Sequence, residues 1–512
     1  MAITYEFNSW FWPFCILTFL LWVALKFLKL SSSRENDVSN GRPLDFLEKY
    51  IESASILNDG QGNICCAVSL SSKQSLSFQN IYDSLVLLVK RQPMLRCVIS
   101  TKNDGELYYD IKNVEDAILL FDITKSDDKI SDWKDLIYKH TSKVHNNKLS
   151  WKAAVLEQEY NPTTQVYLNM IMFAFKHSCI DGISIIKFVE QFINTLNEIS
   201  SGVSNVHKEI TSLKLLPSGH SLVIQDKVGH KLFQFIITCF GFRPILTFLL
   251  KQMISYTFKN KAPNLFYKKH PPISWDRSVE RLEMKTFTKE ETKLVVKGCK
   301  ANGCTVTGAI TAAIHLAFYH LLDEKDTTKL HLESRFVFNN RSYGNQKAQD
   351  DYLGVFVYSL LYNMMYSQPA LKEFWTMAKE SSVQLKQLVK NQAFVRETTL
   401  MASSALDPKI LANLPNENDN ILKSTSNLIS SYGVFDFDNP NAASTIYKVE
   451  NCFIHGIFHN TDVIFRHHIC TVNGKLTWMI KCDATISEDH LKQLSNLCFK
   501  ELINNCSIVN KE

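Results

Sequence analysis

The sequence predicts a two-lobed protein of the α/β (α+β) class, preceded by an apolar helix, and three observations carry that expectation. At 512 residues the chain exceeds what one hydrophobic core ordinarily serves. Strand-like and helix-like patterns mix along both halves, with a long apolar interruption between them. Near the N-terminus, Phe7 to Leu25 forms a run of nineteen residues without a charge.

That run is long enough for a helix to cross a hydrocarbon core of roughly 30 Å. Trp10, Trp12 and Trp22 lie toward its ends, and it is followed by Lys26, Lys29 and Arg34. Positive charge on that side predicts an uncleaved single-pass anchor over 7–30 with the body in the cytosol, at the endoplasmic reticulum. Residues 31–42 then read as a polar tether. The 13 cysteines are scattered without C-x-x-C spacing, which fits a reduced compartment rather than a disulfide framework. A net charge of +5 with no basic run interleaved with aromatics excludes nucleic acid as an expected partner.

The first lobe is expected over 43–205. "NICCAVSLS" reads as a strand, and "QNIYDSLVLLVKRQP" as a helix stopped by Gln92-Pro93. "QVYLNMIMFAF", Gln165 to Phe175, is nearly continuous in apolar residues and reads as a buried central strand. After it, Ile183, Ile186, Val189, Ile193 and Leu196 recur at helical spacing. The segment 206–278 contains "LFQFIITCFGFRPILTFLL", which Gly241, Arg243 and Pro244 break, so it reads as an interfacial hairpin or pair of short helices, or as two buried core helices.

The second lobe is expected over 279–512. Thr288 and Glu291 have capping-box spacing, and "TVTGAITAAIHLAFYHL" reads as a helix with a small-residue face. "RFVFNN" and "LGVFVYSLLYNM" read as strands, Asn473-Gly474 as the turn of a hairpin, and Ser487 as the cap of a last helix.

Between the central strand and its helix lies "HSCIDG", with His177, Asp181 and Gly182. A histidine at the end of a buried strand can take a proton from a bound hydroxyl or amine, a role worth about 100- to 10,000-fold in rate. Asp181 can fold back to hold the corner through backbone contacts or an Arg partner while Gly182 lets the chain turn closely. The plainer reading makes His177 a satisfied strand-end residue and Asp181 an N-cap.

This H-x-x-x-D-G after a buried strand resembles the acyltransferase superfamily of chloramphenicol acetyltransferase, peptide-synthetase condensation domains, plant BAHD acyltransferases, alcohol O-acetyltransferases and wax synthases. "RPLDFLEKYIE", "LVKRQPMLRCVIS", "ANGCTVTGAITAAIHLAF" and "FVFNNRSYGNQKAQDDYLGVFVYSLLYNM" are similar to other stretches of that group, in its order. Lys176 stands where condensation domains and wax synthases carry a first His, and "DFDNP" is the nearest match to the plant DFGWG.

The resemblance implies two chloramphenicol acetyltransferase-like lobes with a substrate tunnel between them, His177 as base, and Asp181 as a structural residue partnered by Arg341. It implies acyl-CoA as co-substrate with no bound cofactor, and an alcohol as acceptor, expected to be lipophilic from the apolar segments. An amine acceptor, or a non-catalytic lipid-binding role, is the alternative. Lys293 and Lys297 on one helix are candidates for the coenzyme A phosphates, and Ser424 and Asn427 in "STSNLISSYG" for substrate contact. His455, His459, His467 and His468 lack carboxylate or Cys at ligand spacing, so they read as exposed strand histidines and no metal is expected. The expected partners are therefore acyl-CoA, an alcohol and membrane lipid, with the chain acting as a monomer.

Overall fold

The computed structural model describes residues 41–512 apart from 58–61, 104, 142–143, 145–147, 224–244, 246–247, 250, 254–255, 257–263, 275–278, 323–328, 344–350, 368–372, 393–406, 414–424, 438–444, 457–462 and 509–512. The anchor expected over 7–30, nearly all of the tether and most of the apolar run at 232–250 lie outside the described residues. Among the described residues no single helix is long and apolar enough to cross a bilayer.

The strands are β1 (Gly41–Pro43), β2 (Asn63–Ser72), β3 (Cys97–Thr101), β4 (Leu107–Ile111), β5 (Ile123–Lys125), β6 (Trp151–Val155), β7 (Glu159–Asn161), β8 (Val166–Lys176), β9 (Glu280–Thr286), β10 (Lys329–Asn339), β11 (Val357–Ser367), β12 (Thr425–Phe435), β13 (Tyr447–Gly456), β14 (Val463–Val472) and β15 (Lys475–Asp483). The longer helices are α1 (Phe46–Leu57), α2 (Phe78–Arg91), α3 (Trp133–Thr141), α4 (Gly182–Ser200), α5 (Lys289–Ala301), α6 (Val306–Leu322), α7 (Phe374–Lys390) and α8 (Glu488–Ile508). One sheet runs β13-β2-β8-β6-β5, a second β11-β10-β12-β14-β15-β9, and a small third β1-β4-β3.

Strand β8 is the spine of the first sheet, antiparallel to both β2 and β6. Its alternate residues Ile171, Phe173 and Phe175 belong to the core covered by α2 and α4, while Met170, Met172 and Ala174 belong to a second layer with Phe453, Met479 and α3. Both faces are therefore dry, which is why the run reads as unbroken apolar residues rather than as an alternation. Phe173 meets Phe188 and Phe192 of α4 edge-on, with centroids 4.9 Å and 5.4 Å away. Helix α4 begins on Asp181 as N-cap.

The second sheet follows the sequence signals closely. Thr288 and Glu291 close a capping box on α5. Asn473 and Gly474 take positive φ of 48° and 79° and join β14 to β15, the backbone that a two-residue hairpin needs. Ser487 Oγ accepts the His490 N–H at the start of α8. The apolar helix α6 lies in the core of this lobe with α8 and the inner face of β14 and β15.

One boundary expected from sequence is corrected. The second lobe does not keep all of 279–512, because β13 pairs antiparallel with β2 and forms the edge of the first sheet. Its inward residues Cys452 and Ile454 complete the first core, and Asn473 Nδ2 ties the β14–β15 turn back to the Val449 carbonyl at 2.7 Å. An unpaired β2 edge would expose a row of backbone donors and acceptors, and a strand lent by the other lobe covers it.

Replacing Phe173 by Ala removes the ring on which two α4 side chains rest, and a loss of about 3–5 kcal/mol is expected, read as a lowered urea midpoint.

Candidate active site

Between Asn169 and Gly182 every residue is buried except His177. The strand ends on Lys176, whose N–H donates to the Ser150 carbonyl at 2.8 Å, and the Cys179 N–H then closes back on the Lys176 carbonyl at 2.9 Å. This tight turn carries the imidazole out of the core. Its Nδ1 lies 3.0 Å from the Ile180 carbonyl, an acceptor only, so Nδ1 carries the hydrogen and Nε2 the lone pair. Burial holds the His177 pKa below its ordinary value, against an opposing pull from Asp181. A neutral ring with its basic nitrogen fixed is what a general base requires.

Asp181 does not contact that ring by a hydrogen bond. Its Oδ1 accepts the Ser184 N–H at 2.6 Å, capping α4, and its Oδ2 accepts the Phe356 N–H at 2.7 Å from the second lobe. Asp181 thus caps α4 and ties it to the Phe356 backbone. Arg341 reaches only 4.0 Å from Asp181 Oδ1, and the link between them runs through Ser184. Ser184 Oγ donates to the Gly354 carbonyl at 2.7 Å and accepts from Arg341 Nη2, while Arg341 Nη1 holds the Tyr352 carbonyl at 2.8 Å and the guanidinium stacks over Phe356 at 4.3 Å. Gly182 is needed for space: a Cβ there would come within 2.2 Å of Tyr432 Cε1.

Lys176 is buried and pairs with Glu52 of α1 at 2.7 Å, and Ser178 Oγ donates to the other oxygen of the same carboxylate at 2.6 Å. The residues on either side of His177 are therefore held by one buried acid. Sequence reasoning missed Glu52 because Glu48 and Glu52 share an α1 face that reads as solvated. The usable signal was the lysine ending an apolar strand, since a buried ammonium needs a carboxylate. Ser184, three residues after a capping Asp, was missed too.

The other candidates separate. Lys293 and Lys297 join Lys289 and Lys300 along a groove of about 930 Å³ whose far wall includes Ser431, Gly433 and Asp436 of β12 and its end. Asn427 is fully buried, its amide taken up by Ser334 Oγ at 3.4 Å and His467 Nε2 at 3.0 Å. Ser424 and His459 lie outside the described residues. His455, His467 and His468, expected as exposed, are buried, because their strands are covered on one face by helices and on the other by the opposite lobe. Burial pushes the His467 pKa down to about 3. No group of three metal-ligating side chains occurs among the described residues.

A family model described as alcohol acetyltransferase matches residues 112–503. The chain belongs to the alcohol acetyltransferase family. As a member of that family it is an acyltransferase, and its two-lobed frame recurs in solved structures at low identity. The trichothecene 15-O-acetyltransferase of Fusarium sporotrichioides has 13% identity and a TM-score of 0.66 over 91% of this chain and 94% of that one. The starter condensation domain of rhizomide synthetase, solved as a mutant in complex with C8-CoA, has 9% identity and a TM-score of 0.54 over 92% and 95%. The epimerization domain of the third module of tyrocidine synthetase B has 13% identity and a TM-score of 0.55 over 86% and 91%. No curated protein sequence matches this acetyltransferase-family chain.

The buried Glu52 pair generates a test. Lys176→Met strands the carboxylate and is expected to cost about 3–5 kcal/mol, whereas Lys176→Met with Glu52→Gln removes both charges and recovers most of the loss in urea midpoint.

Proposed function

We propose that this protein is a membrane-anchored acyl-CoA-dependent O-acyltransferase with His177 as general base. The observation that carries the reading is the single partly accessible residue of the buried 169–182 corner, an imidazole whose Nδ1 is pinned to the Ile180 carbonyl. His177 Nε2 takes the proton of the acceptor hydroxyl as its oxygen attacks the thioester carbonyl carbon. The tetrahedral intermediate then breaks its C–S bond, and the leaving coenzyme A thiolate takes the proton back from the imidazolium. No covalent enzyme intermediate is needed, since a thiolate leaves readily.

The four-lysine groove supports the choice of donor. Four cations on successive turns of α5 match the phosphates of a coenzyme A. Membrane attachment rests on the uncharged run at Phe7 to Leu25 and on Ile245, Phe248, Leu249, Met253 and Tyr256, apolar side chains that are all strongly exposed at near-helical spacing. An acceptor that partitions into lipid fits that placement, and the endoplasmic reticulum with a cytosolic body is the location proposed.

Replacing His177 by Ala is expected to lower thiol release from acetyl-CoA by about 100-fold or more across an alcohol panel, with unchanged release counting against the base. In the wild type, kcat/KM should rise with pH with a midpoint below pH 6.5, since the base works unprotonated and its pKa lies under the ordinary histidine value. Lys293→Ala with Lys297→Ala should raise the KM for acetyl-CoA several-fold, an effect that shrinks with added salt, and leave the KM for the alcohol unchanged.

A further inference from the structure

The face of the second sheet that looks toward the first lobe carries polar groups the base does not use. On β14, alternate residues Cys470 and Val472 pack into the first lobe's core, so Arg466 and His468, in the same alternation, point to that side. On β15, Met479 and Lys481 share this face as the register partners of His468 and Arg466. Across from them on β13, Phe453 packs with Met479 in the layer between the lobes, and His455 follows it two residues on.

Lys481 Nζ lies 3.1 Å from His455 Nδ1. An ammonium only donates, so His455 Nδ1 accepts and the ring is the neutral tautomer with its hydrogen on Nε2. That N–H has no acceptor among the described residues, although His455 is 0% exposed. His468, 6% exposed, shares its Nδ1 with Tyr432 OH at 2.9 Å, and its Nε2 likewise has no partner among the described residues. Both rings are kept neutral by burial and by the nearby Lys481 charge. The Glu280 carboxylate meets Arg466 and Lys481, one acid against two cations, so the surroundings of the pair stay net positive.

Both rings lie in reach of the His177 corner. Tyr432, bonded to His468, rests directly on Gly182. His455 pairs with Cys65, which pairs with Ala174 on β8, three residues before His177. Two strand spacings make that lateral offset about 10 Å. Buried polar atoms without a protein partner call for a ligand or water.

We infer that His455 and His468 form a polar subsite beside the His177 corner, which binds a second, neutral hydroxyl of the acceptor at a distance from the one that is acylated. A hydroxyl suits it because it accepts from the His455 Nε2–H and can either donate to or accept from His468. The substrate class is then an apolar alcohol with a remote second hydroxyl. This rests on the acyl-transfer reading above.

The test is thiol release from acetyl-CoA by the full-length protein, with α,ω-diols of increasing length each set against the 1-alkanol of equal length and the matching ω-hydroxy acid. The expected result is a diol-to-alkanol kcat/KM ratio of about tenfold or more at one chain length. The ratio should collapse toward one in His455→Leu and His468→Leu and persist in His455→Gln, and as a ratio within each variant it is insensitive to the folded fraction. Equal use of diol and alkanol by the wild type overturns the inference even if no variant folds. An unchanged ratio in both leucine variants also overturns it, and a preference for the hydroxy acid overturns the neutral-hydroxyl assignment. Absence of thiol release with every alcohol would instead bring down the acyl-transfer reading, and this inference with it.

Discussion

The Asp181 carboxylate is the constraint on which the site depends. One oxygen takes a backbone N–H at the head of α4 in the first lobe, and the other takes the Phe356 N–H of the second. A buried carboxylate with a charge-assisted hydrogen bond to each lobe fixes the spacing of the two. The Asp181 N–H also donates to the Gly354 carbonyl at 3.0 Å, so the corner and the Gly354 loop are joined in both directions. Arg341 completes the arrangement by holding Ser184 and the Tyr352 carbonyl rather than by a close ion pair with Asp181. Its charge still offsets that of the buried acid from 4.0 Å.

With the corner fixed, the imidazole can be left to the interlobe space. Glu52 holds Lys176 and Ser178 on either side of it, Tyr109 OH donates to the Ser178 carbonyl, and the Ile180 carbonyl sets the tautomer. The contacts of Glu52 and Tyr109 act on neighbours of His177, and that of the Ile180 carbonyl on its Nδ1. Support through the flanking backbone and Nδ1 holds the ring in place, and burial lowers its pKa so that the neutral form is favoured.

Much of this was legible in the chain. The β8 run, the α4 periodicity, the α5 capping box and the Asn473-Gly474 turn are local signals, and local geometry obeyed them. The H-x-x-x-D-G spacing singled out His177 and Asp181 because both belong to a single turn. Glu52 was illegible, since nothing near it in sequence tells that its helix face will meet a lysine 124 residues away. The strand histidines were misread as exposed for a related reason: β-strand alternation says which residues share a face, never what covers that face.

By itself the sequence determined the elements and the family and singled out His177, because periodicity, capping and a six-residue motif are short-range properties carried by neighbouring side chains. Only the tertiary structure decided that β13 crosses to the first sheet, that one carboxylate staples the lobes, and that His455 and His468 face the same interior as His177. Those outcomes depend on pairing between residues hundreds of positions apart, and the free energy that selects them comes from burying two sheets against each other.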